Sequence, residues 1–251
     1  MTEYRIRQHP ILPIEPREEV EFHWNGHRLV AKQGEMIASA LFANGVRIFG
    51  HHPKDNAPQG IFCANGQCAQ CLVLADGVPV KSCMTQVRPG MRVESVDGLP
   101  ELPKVEEVSP LYETRTIAVP VLIIGGGPAG MSAAVQLAKS GIKVLLVDDK
   151  TRLGGKLVLQ THRFFGSIDA VHAGTRGIDI ATLLEREVHD VGNIDVWLNS
   201  TALAVFSDQK IGILRGGDTY TLVEPQVLLV ATGAREKSLV FRGNTLPGVY
   251  G

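Results

Sequence analysis

Hydrophobic and polar residues alternate in short runs through the early part of the chain, and each run is bounded by turn-forming residues. The runs VEFHW (Val20–Trp24) and HRLVA (His27–Ala31) flank Asn25 and Gly26, a pair typical of a two-residue hairpin turn. Within Glu35–Gly45 the apolar residues recur at helical spacing instead. This part of the pattern predicts a β-hairpin followed by a short helix.

A second hairpin is predicted further along the chain. The runs CLVLA (Cys71–Ala75) and VPVKSC (Val78–Cys83) flank an Asp-Gly pair, and the short run MRVES (Met91–Ser95) follows them. The order hairpin, helix, loop, hairpin and final strand is typical of a β-grasp layout. We therefore expect residues 1–97 to form an extended arm and an α+β ferredoxin-like (β-grasp) 2Fe–2S domain.

The pattern changes in the second half of the chain. Residues 98–117 contain three prolines and several charges without a sustained period, which favours a linker. From Val119 onward, buried strand patterns alternate with helical patterns, as in a doubly wound α/β fold. We expect residues 118–251 to form the first half of a Rossmann-like FAD-binding domain, incomplete at its C-terminus.

Charge and hydropathy narrow the function classes. The formal net charge is −1 and the isoelectric point is near 6.7, so the chain has no general attraction for nucleic acid or anionic lipid. The longest apolar run, Val119–Ile124, is far too short to span a bilayer, and the N-terminal segment lacks the apolar core of a signal peptide. We expect a cytoplasmic protein with no membrane span and no nucleic-acid partner.

The cysteines give the clearest chemical signal. All four lie in one segment, which favours a metal site over a disulfide framework. Their spacing is C-x4-C-x2-C followed by a fourth cysteine, the plant-type 2Fe–2S arrangement. Small and turn-forming residues fill the loop, which allows backbone N–H groups to approach a sulfide-bridged cluster. The predicted metal ligands are Cys63, Cys68, Cys71 and Cys83.

The second hairpin explains how the fourth cysteine reaches the others. If its Asp-Gly pair forms a two-residue turn, Cys71 faces Ser82, and Cys83 then lies next to Cys71. A structural zinc ion is the alternative. Zinc ribbons favour two separated C-x2-C knuckles, whereas this chain has one.

A complete βαβ pattern carries a dinucleotide fingerprint. The strand pattern Val119–Ile124 leads into G-x-G-x-x-G at Gly125, Gly127 and Gly130, and a helix pattern covers Ala129–Ser140. The three glycines allow a sharp turn, close approach of a pyrophosphate, and close packing of helix on strand. The phosphates would then lie at the N-terminus of the helix, which favours anions.

Three further motifs favour FAD, with NAD as the alternative. Asp148 follows the second strand, where its carboxylate can accept hydrogen bonds from ribose hydroxyls. A double glycine and an Ala-Thr-Gly strand end come later, as in flavoproteins of the two-dinucleotide class. The predicted cofactor-binding residues are Gly125, Gly127, Pro128, Ala129, Gly130, Asp148, Asp149, Gly154, Gly155, Lys156, Ala231, Thr232 and Gly233.

Some absences in the sequence also matter. No cysteine follows Cys83, so this part of the chain cannot carry the redox disulfide of disulfide reductases. No second G-x-G-x-x-G follows the first, and we expect a fragment or one half of a split protein. His162 and Arg163 are expected in a surface loop, and the alternative is that they contact the flavin ring or bind an acidic substrate. The catalytic residues stay unassigned.

With these motifs in this order, the chain resembles the iron–sulfur and FAD-containing subunits of bacterial amine and imino-acid dehydrogenases. This group includes opine and proline dehydrogenases, hydrogen cyanide synthase and the α subunit of sarcosine oxidase. The resemblance covers Val20–Gly251. It implies an oxidoreductase subunit that relays electrons between FAD and a 2Fe–2S cluster, while a separate flavin-containing subunit oxidises a small amine or amino acid.

Two other functions stay open from the sequence. An NAD(P)H-dependent flavin reductase whose nicotinamide domain lies outside this chain would carry the same fingerprint. A non-catalytic assembly module with a structural dinucleotide would also do so. Neither the amine, the electron acceptor nor the subunit composition can be read from these motifs.

Overall fold

A computed structural model describes residues 4–10, 14–101, 114–235 and 237–250. The described residues divide into two compact units. The first falls within Met1–Val108 and Arg235–Gly251, and the second falls within Ser109–Ala234. Among the described residues, none of the helices is long and apolar enough to cross a lipid bilayer.

The first unit contains eight strands and one helix among its described residues. They are β1 (Glu19–Trp24), β2 (His27–Lys32), α1 (Ile37–Ala43), β3 (Gly50–His51), β4 (Pro58–Gln59), β5 (Leu72–Ala75), β6 (Val78–Lys81), β7 (Arg92–Glu94) and β8 (Val96–Asp97). The main sheet has the order β2-β1-β7-β5-β6, with β1 parallel to β7, and β4-β3-β8 form a small second sheet. Two hairpins joined through a helix in this way form the predicted β-grasp domain.

One hydrophobic core supports the first unit. Strand β1 alternates between exposed and buried positions, and its Phe22 is fully buried. Helix α1 contributes Ile37 and Leu41 to the same core, and both are also fully buried. Trp24 meets Phe49 edge to face, with the ring centroids 6.2 Å apart. The alternating pattern of the sequence therefore corresponds to one face of the sheet packed under the helix.

The N-terminal arm is attached to this core through Glu35, just before α1. Arg5 Nη1 and the backbone N–H of Lys32 each donate to the Glu35 carboxylate at 2.8 Å, and Ser39 Oγ does the same. Burial acts to raise the pKa of Glu35, but these donors outweigh burial and hold the pKa below its usual value. A buried carboxylate thus joins the arm, the hairpin and the helix.

The second unit is an α/β fold. Its elements are β9 (Arg115–Ile124), α2 (Pro128–Lys139), β10 (Val144–Val147), a 3-10 helix (Gly155–Leu159), α3 (Ile168–Val171), α4 (Gly177–Val191), β11 (Ile194–Trp197), β12 (Ser200–Val205), β13 (Ile211–Arg215) and β14 (Thr219–Val230). They form one six-stranded sheet in the order β11-β10-β9-β14-β13-β12. Strand β10 pairs in parallel with β11 and β9, and β9 pairs in parallel with β14. Strand β13 pairs antiparallel with β12 and β14.

The two faces of this sheet are covered differently. Val121, Ile123 and Leu146 point to the face covered by α2 and α4. Leu122 and Leu145 point to the opposite face and pack against side chains of β13 and β14. The sequence predicts helices on both faces, whereas strands that double back over the sheet cover one of them.

The element boundaries differ from the sequence-based expectations in two places. Strand β9 begins at Arg115, inside the stretch assigned to a linker, because it pairs with β14 from Arg115 onward. Residues 102–113 of that linker lie outside the described residues. The structure also groups Arg235–Gly251 with the first unit, whereas the sequence places them in the nucleotide-binding domain.

The packing under α2 gives a stability prediction. Leu146 is fully buried in β10, so Leu146→Ala leaves a cavity and is expected to lower the free energy of unfolding by about 2–5 kcal/mol. Leu203 on β12 is 57% exposed, and Leu203→Ala is expected to cost about 0.5 kcal/mol or less. Urea unfolding followed by circular dichroism measures both. If both variants lost the same free energy of unfolding, the assignment of Leu146 to the core would be contradicted.

Candidate cofactor sites

The β5–β6 hairpin positions two of the cysteines. Ala75 pairs with Val78 and Leu72 pairs with Lys81, so the turn between the strands has two residues. The backbone N–H of Ser82 donates to the carbonyl oxygen of Cys71 at 3.1 Å. The predicted hairpin register, with Cys71 opposite Ser82, is thereby confirmed.

The four thiols form two pairs. The backbone N–H of Cys68 donates to Cys63 Sγ at 3.3 Å, and the thiols of these two residues also interact. The thiol of Cys71 likewise interacts with the backbone N–H and the thiol of Cys83. Across the described ranges, no group of three or more His, Cys, Asp or Glu side chains is arranged around a single metal position. Two pairs of thiols suit two irons with two protein ligands each better than one tetrahedral zinc ion.

The thiol pKa values follow the same pairing. A hydrogen bond from Cys83 lowers the pKa of Cys71 to about 6, and the same contact raises the pKa of Cys83 well above its usual range. Burial acts against ionisation of Cys63, but backbone N–H groups from Asn65 and Cys68 outweigh burial and lower its pKa. Burial raises the pKa of Cys68. Each pair therefore contains one thiol with a lowered pKa and one with a raised pKa.

Lys81 and Ser82 hold the cysteine loop in place. Lys81 Nζ donates to the carbonyl oxygen of Gly66 at 2.6 Å, which ties β6 to the loop between the first two cysteines. Ser82 is fully buried, and its hydroxyl donates to the carbonyl oxygen of Cys71 at 2.6 Å. Sequence reasoning missed both contacts, because strand alternation gives the direction of a side chain but not its hydrogen-bond partner.

A cavity of about 210 Å³ lies beside the loop within the first unit. Its wall includes Cys63 and Cys68 from the cysteine loop, and Arg235 and Asn244 from the C-terminal segment. Gln70 also borders it, and its side-chain oxygen is buried with no hydrogen-bond donor among the described residues. Nothing in the sequence near Arg235 indicated that it would lie next to the cysteines.

The predicted nucleotide site is a cradle of backbone atoms between β9 and α2. A Cβ on Gly130 would lie 1.8 Å from the carbonyl oxygen of Gly125, and Gly125 itself has φ +113. A Cβ on Gly127 would face open space, with its nearest atom 4.0 Å away. Gly127 also precedes α2, whose first N–H groups have no side-chain cap. An open backbone surface at a helix N-terminus fits the pyrophosphate of a dinucleotide.

Asp148 closes one side of the cradle. It is largely buried, and its carboxylate accepts from the backbone N–H of Gly126 at 2.6 Å and from that of Lys150 at 2.9 Å. A carboxylate has about four lone-pair positions, so capacity for ribose hydroxyls is left. Asp149 differs, because its side chain is half-exposed and accepts from Lys150 Nζ at 2.6 Å.

The later motifs reach the same cradle. The backbone N–H of Gly154 donates to the carbonyl oxygen of Gly126 at 2.8 Å, and Gly155 packs against Gly127. The backbone N–H of Ala231 donates to the carbonyl oxygen of Ile124 at 2.8 Å, which brings the Ala-Thr-Gly segment to the glycine turn. Lys156, Thr232 and Gly233 are exposed, and Pro128 and Ala129 begin helix α2.

The loop that carries His162 and Arg163 has a local structure of its own. His162 stacks on Phe164 with the ring centroids 5.2 Å apart, and Arg163 Nη1 donates to the carbonyl oxygen of Gly174 at 2.7 Å. Both side chains therefore have structural partners within the loop.

Two family models match the chain. Residues 17–98 match a 2Fe-2S iron-sulfur cluster binding domain, and residues 119–250 match the pyridine nucleotide-disulphide oxidoreductase model. The chain thus carries a 2Fe–2S cluster binding domain followed by an FAD-binding oxidoreductase domain. The predicted fold class and the predicted cofactors are confirmed.

Curated relatives agree with the resemblance drawn from the sequence. The chain is 28% identical over 275 residues to sarcosine oxidase subunit alpha of Corynebacterium sp. (strain P-1), covering 99% of this chain and 27% of that protein. It is 36% identical over 129 residues to hydrogen cyanide synthase subunit HcnB of Pseudomonas protegens, covering 51% of this chain and 27% of that protein. The chain therefore spans about a quarter of the length of these relatives.

A solved structure shares the fold. The crystal structure of L-proline dehydrogenase from P. horikoshii matches with a TM-score of 0.75 and 24% sequence identity. The match covers 93% of this chain and 44% of that chain. With the family matches and the relatives, it confirms the resemblance to the iron–sulfur and FAD-containing dehydrogenase subunits.

Two glycine variants in the cradle are expected to separate an effect on dinucleotide binding from an effect on protein stability. Gly127→Ala is expected to leave the melting temperature unchanged, because its new methyl group meets open space, but to reduce the dinucleotide that co-purifies by at least tenfold. Gly130→Ala is the matched comparison, and it is expected to lower stability by about 1–3 kcal/mol because the methyl group collides with backbone. Mass analysis of released nucleotide and thermal denaturation measure the two effects. Full nucleotide content in the Gly127 variant would contradict the placement of the pyrophosphate.

Proposed function

Because the chain belongs to the pyridine nucleotide-disulphide oxidoreductase family, we propose that it relays electrons between FAD and a 2Fe–2S cluster. The relay serves a multi-subunit dehydrogenase for an amine or amino acid of the sarcosine, proline or opine type. The observation that carries the proposal is that the cysteine loop brings Cys68 against Cys63 and the β5–β6 hairpin brings Cys83 beside Cys71, in a chain that also holds a glycine-lined nucleotide cradle.

The thiol pairing supports an assignment of the cluster ligands. In this proposal Cys63 and Cys68 hold one iron, and Cys71 and Cys83 hold the other. Cluster insertion has to remove the protons of the two thiols with raised pKa values, Cys68 and Cys83.

The backbone cradle supports the placement of FAD. The open surface at Gly127 and the N-terminus of α2 would receive the pyrophosphate. Asp148 would accept the ribose hydroxyls, and its hydrogen bonds with backbone N–H groups keep the carboxylate oriented for this task. When bound, FAD exchanges electrons in pairs or singly and the cluster exchanges them one at a time. The protein binds and orients both groups and tunes their surroundings.

The substrate-oxidising step is assigned to another subunit. Sarcosine oxidase subunit alpha and hydrogen cyanide synthase subunit HcnB are both named as subunits, which supports a partner for this chain as well. We infer that a flavin-containing partner removes electrons from the C–N bond of the substrate and passes them to this chain. The cytoplasmic location stays a prediction.

Anaerobic reduction of the purified complex tests the proposal. Sarcosine, proline and an opine are added in turn to the chain with and without its partner subunits, and visible absorption and electron paramagnetic resonance spectra are recorded. We expect an amine to bleach the flavin bands and to produce a reduced-cluster signal only when the partners are present. Reduction by NADH alone would favour a flavin reductase instead, and no reduction by any donor would favour an assembly module.

The ligand assignment has a direct test. Cys68→Ala leaves one iron with a single protein ligand, so the variant is expected to lose the iron–sulfur absorption bands and acid-labile sulfide while it keeps its dinucleotide. The exposed Ala69 in the same loop offers a control, because Ala69→Ser is expected to keep both groups. Unmodified protein that contains zinc but neither iron nor sulfide would overturn the assignment.

A further inference from the structure

The cavity beside the cysteine loop joins two parts of the chain that are far apart in sequence. Cys63 and Cys68 form part of its wall, and Arg235 from the C-terminal segment forms another part. The same segment contacts the chain just before the cysteines, since a Cβ on Gly60 would lie 3.4 Å from Pro247 Cγ. Arg235 therefore borders the same small space as one of the two thiol pairs.

A second cation lies against the cysteine loop. Lys81 Nζ donates to the carbonyl oxygen of Gly66, which lies between Cys63 and Cys68 in the loop. The other pair has different surroundings, because Cys71 is buried in the hydrophobic core of the first unit and Cys83 packs against that core. The backbone N–H of Gly66 also bonds to Cys83, so Lys81 lies close to both thiol pairs, whereas Arg235 borders the cavity that Cys63 and Cys68 line.

We propose that Arg235 and Lys81 raise the reduction potential of the 2Fe–2S cluster by placing positive charge beside the cysteine loop. Reduction adds one electron to the cluster, and its total negative charge increases by one unit. A nearby cation stabilises the more negative state, so the equilibrium shifts toward the reduced cluster. The inference rests on the proposed function in one respect, which is that the cluster forms.

A purely structural role for Arg235 makes a different prediction. If the side chain only held the C-terminal segment against the loop, lysine and glutamine would disturb it to similar extents. If its charge acts on the cluster, lysine should preserve the potential, glutamine should lower it, and glutamate should lower it further. The order of these three variants therefore separates charge from packing.

The test is a redox titration of the full chain with its cluster, followed by electron paramagnetic resonance. At a fixed solution potential, Arg235→Gln is expected to lower the ratio of reduced to oxidised cluster about threefold, or roughly 28 mV at 59 mV per decade for a one-electron couple. Arg235→Glu is expected to lower it about tenfold, or roughly 59 mV, and Arg235→Lys to leave it unchanged. Lys81→Gln is expected to act in the same direction as Arg235→Gln.

High salt and a matched control variant test whether the shift in potential comes from the charge of Arg235. Arg235 is exposed, so the shifts should shrink at about 1 M salt, where charges are screened within roughly 3 Å. Arg242 lies in the same segment and is also exposed, but it does not border the cavity, and Arg242→Gln should leave the potential unchanged.

Equal potentials across the Arg235 series, or equal shifts for the lysine and glutamine variants, would overturn this inference alone. Absence of a cluster in the unmodified protein would overturn the proposed function itself.

Discussion

The register of the β5–β6 hairpin is the constraint on which the cluster site depends. Asp76 and Gly77 both have positive φ, at 50° and 82°, the backbone combination that a tight two-residue hairpin turn requires. That turn sets Cys71 opposite Ser82 and brings Cys83 beside Cys71. A slip of one residue would send the side chains to the other face of the sheet and separate the two thiols. The pairing of thiols, and with it the choice of a two-iron cluster over a single metal ion, follows from this turn.

The nucleotide cradle depends on a second constraint, the close approach of three backbone segments. The double glycine after β10 and the end of β14 each donate a backbone hydrogen bond to the segment that ends β9 and begins the glycine turn. The contact of Gly130 with the carbonyl oxygen of Gly125 leaves no room for a side chain, and Gly126 is similarly confined by Leu153 and Asp148. Both cofactor sites therefore rely on backbone geometry first and on side chains second, which is why glycine and turn residues dominate their sequence signals.

Whether an element could be predicted from the sequence depended on whether a local pattern specifies it. The hairpins, α1 and the βαβ unit were predictable because each is specified by a local pattern and a turn signal. Strand β11 was not, because it is short and is stabilised by pairing with β10, which lies far earlier in the chain. Strands β12 and β13 were also not predicted, although each pairs with the next strand in sequence. The four cysteines and the glycine fingerprint were predicted from spacing alone. The position of Arg235 was not predictable, since it follows from tertiary contacts of a segment without local periodicity.

The proposed ligands of the cluster lie close together in the sequence, whereas the charges proposed to act on it come from distant segments. All four thiols lie within Cys63–Cys83, so a single hairpin and its loop are enough to assemble them. The charge environment is non-local, because Arg235 reaches the same cavity from the far end of the chain. Ligand identity depends on spacing, whereas the free energy of reduction depends on charge, hydrogen bonding and solvent exposure. Two chains with identical cysteine spacing can therefore hold the same cluster at different potentials, and the residues that set the difference are found by following the fold rather than the motif.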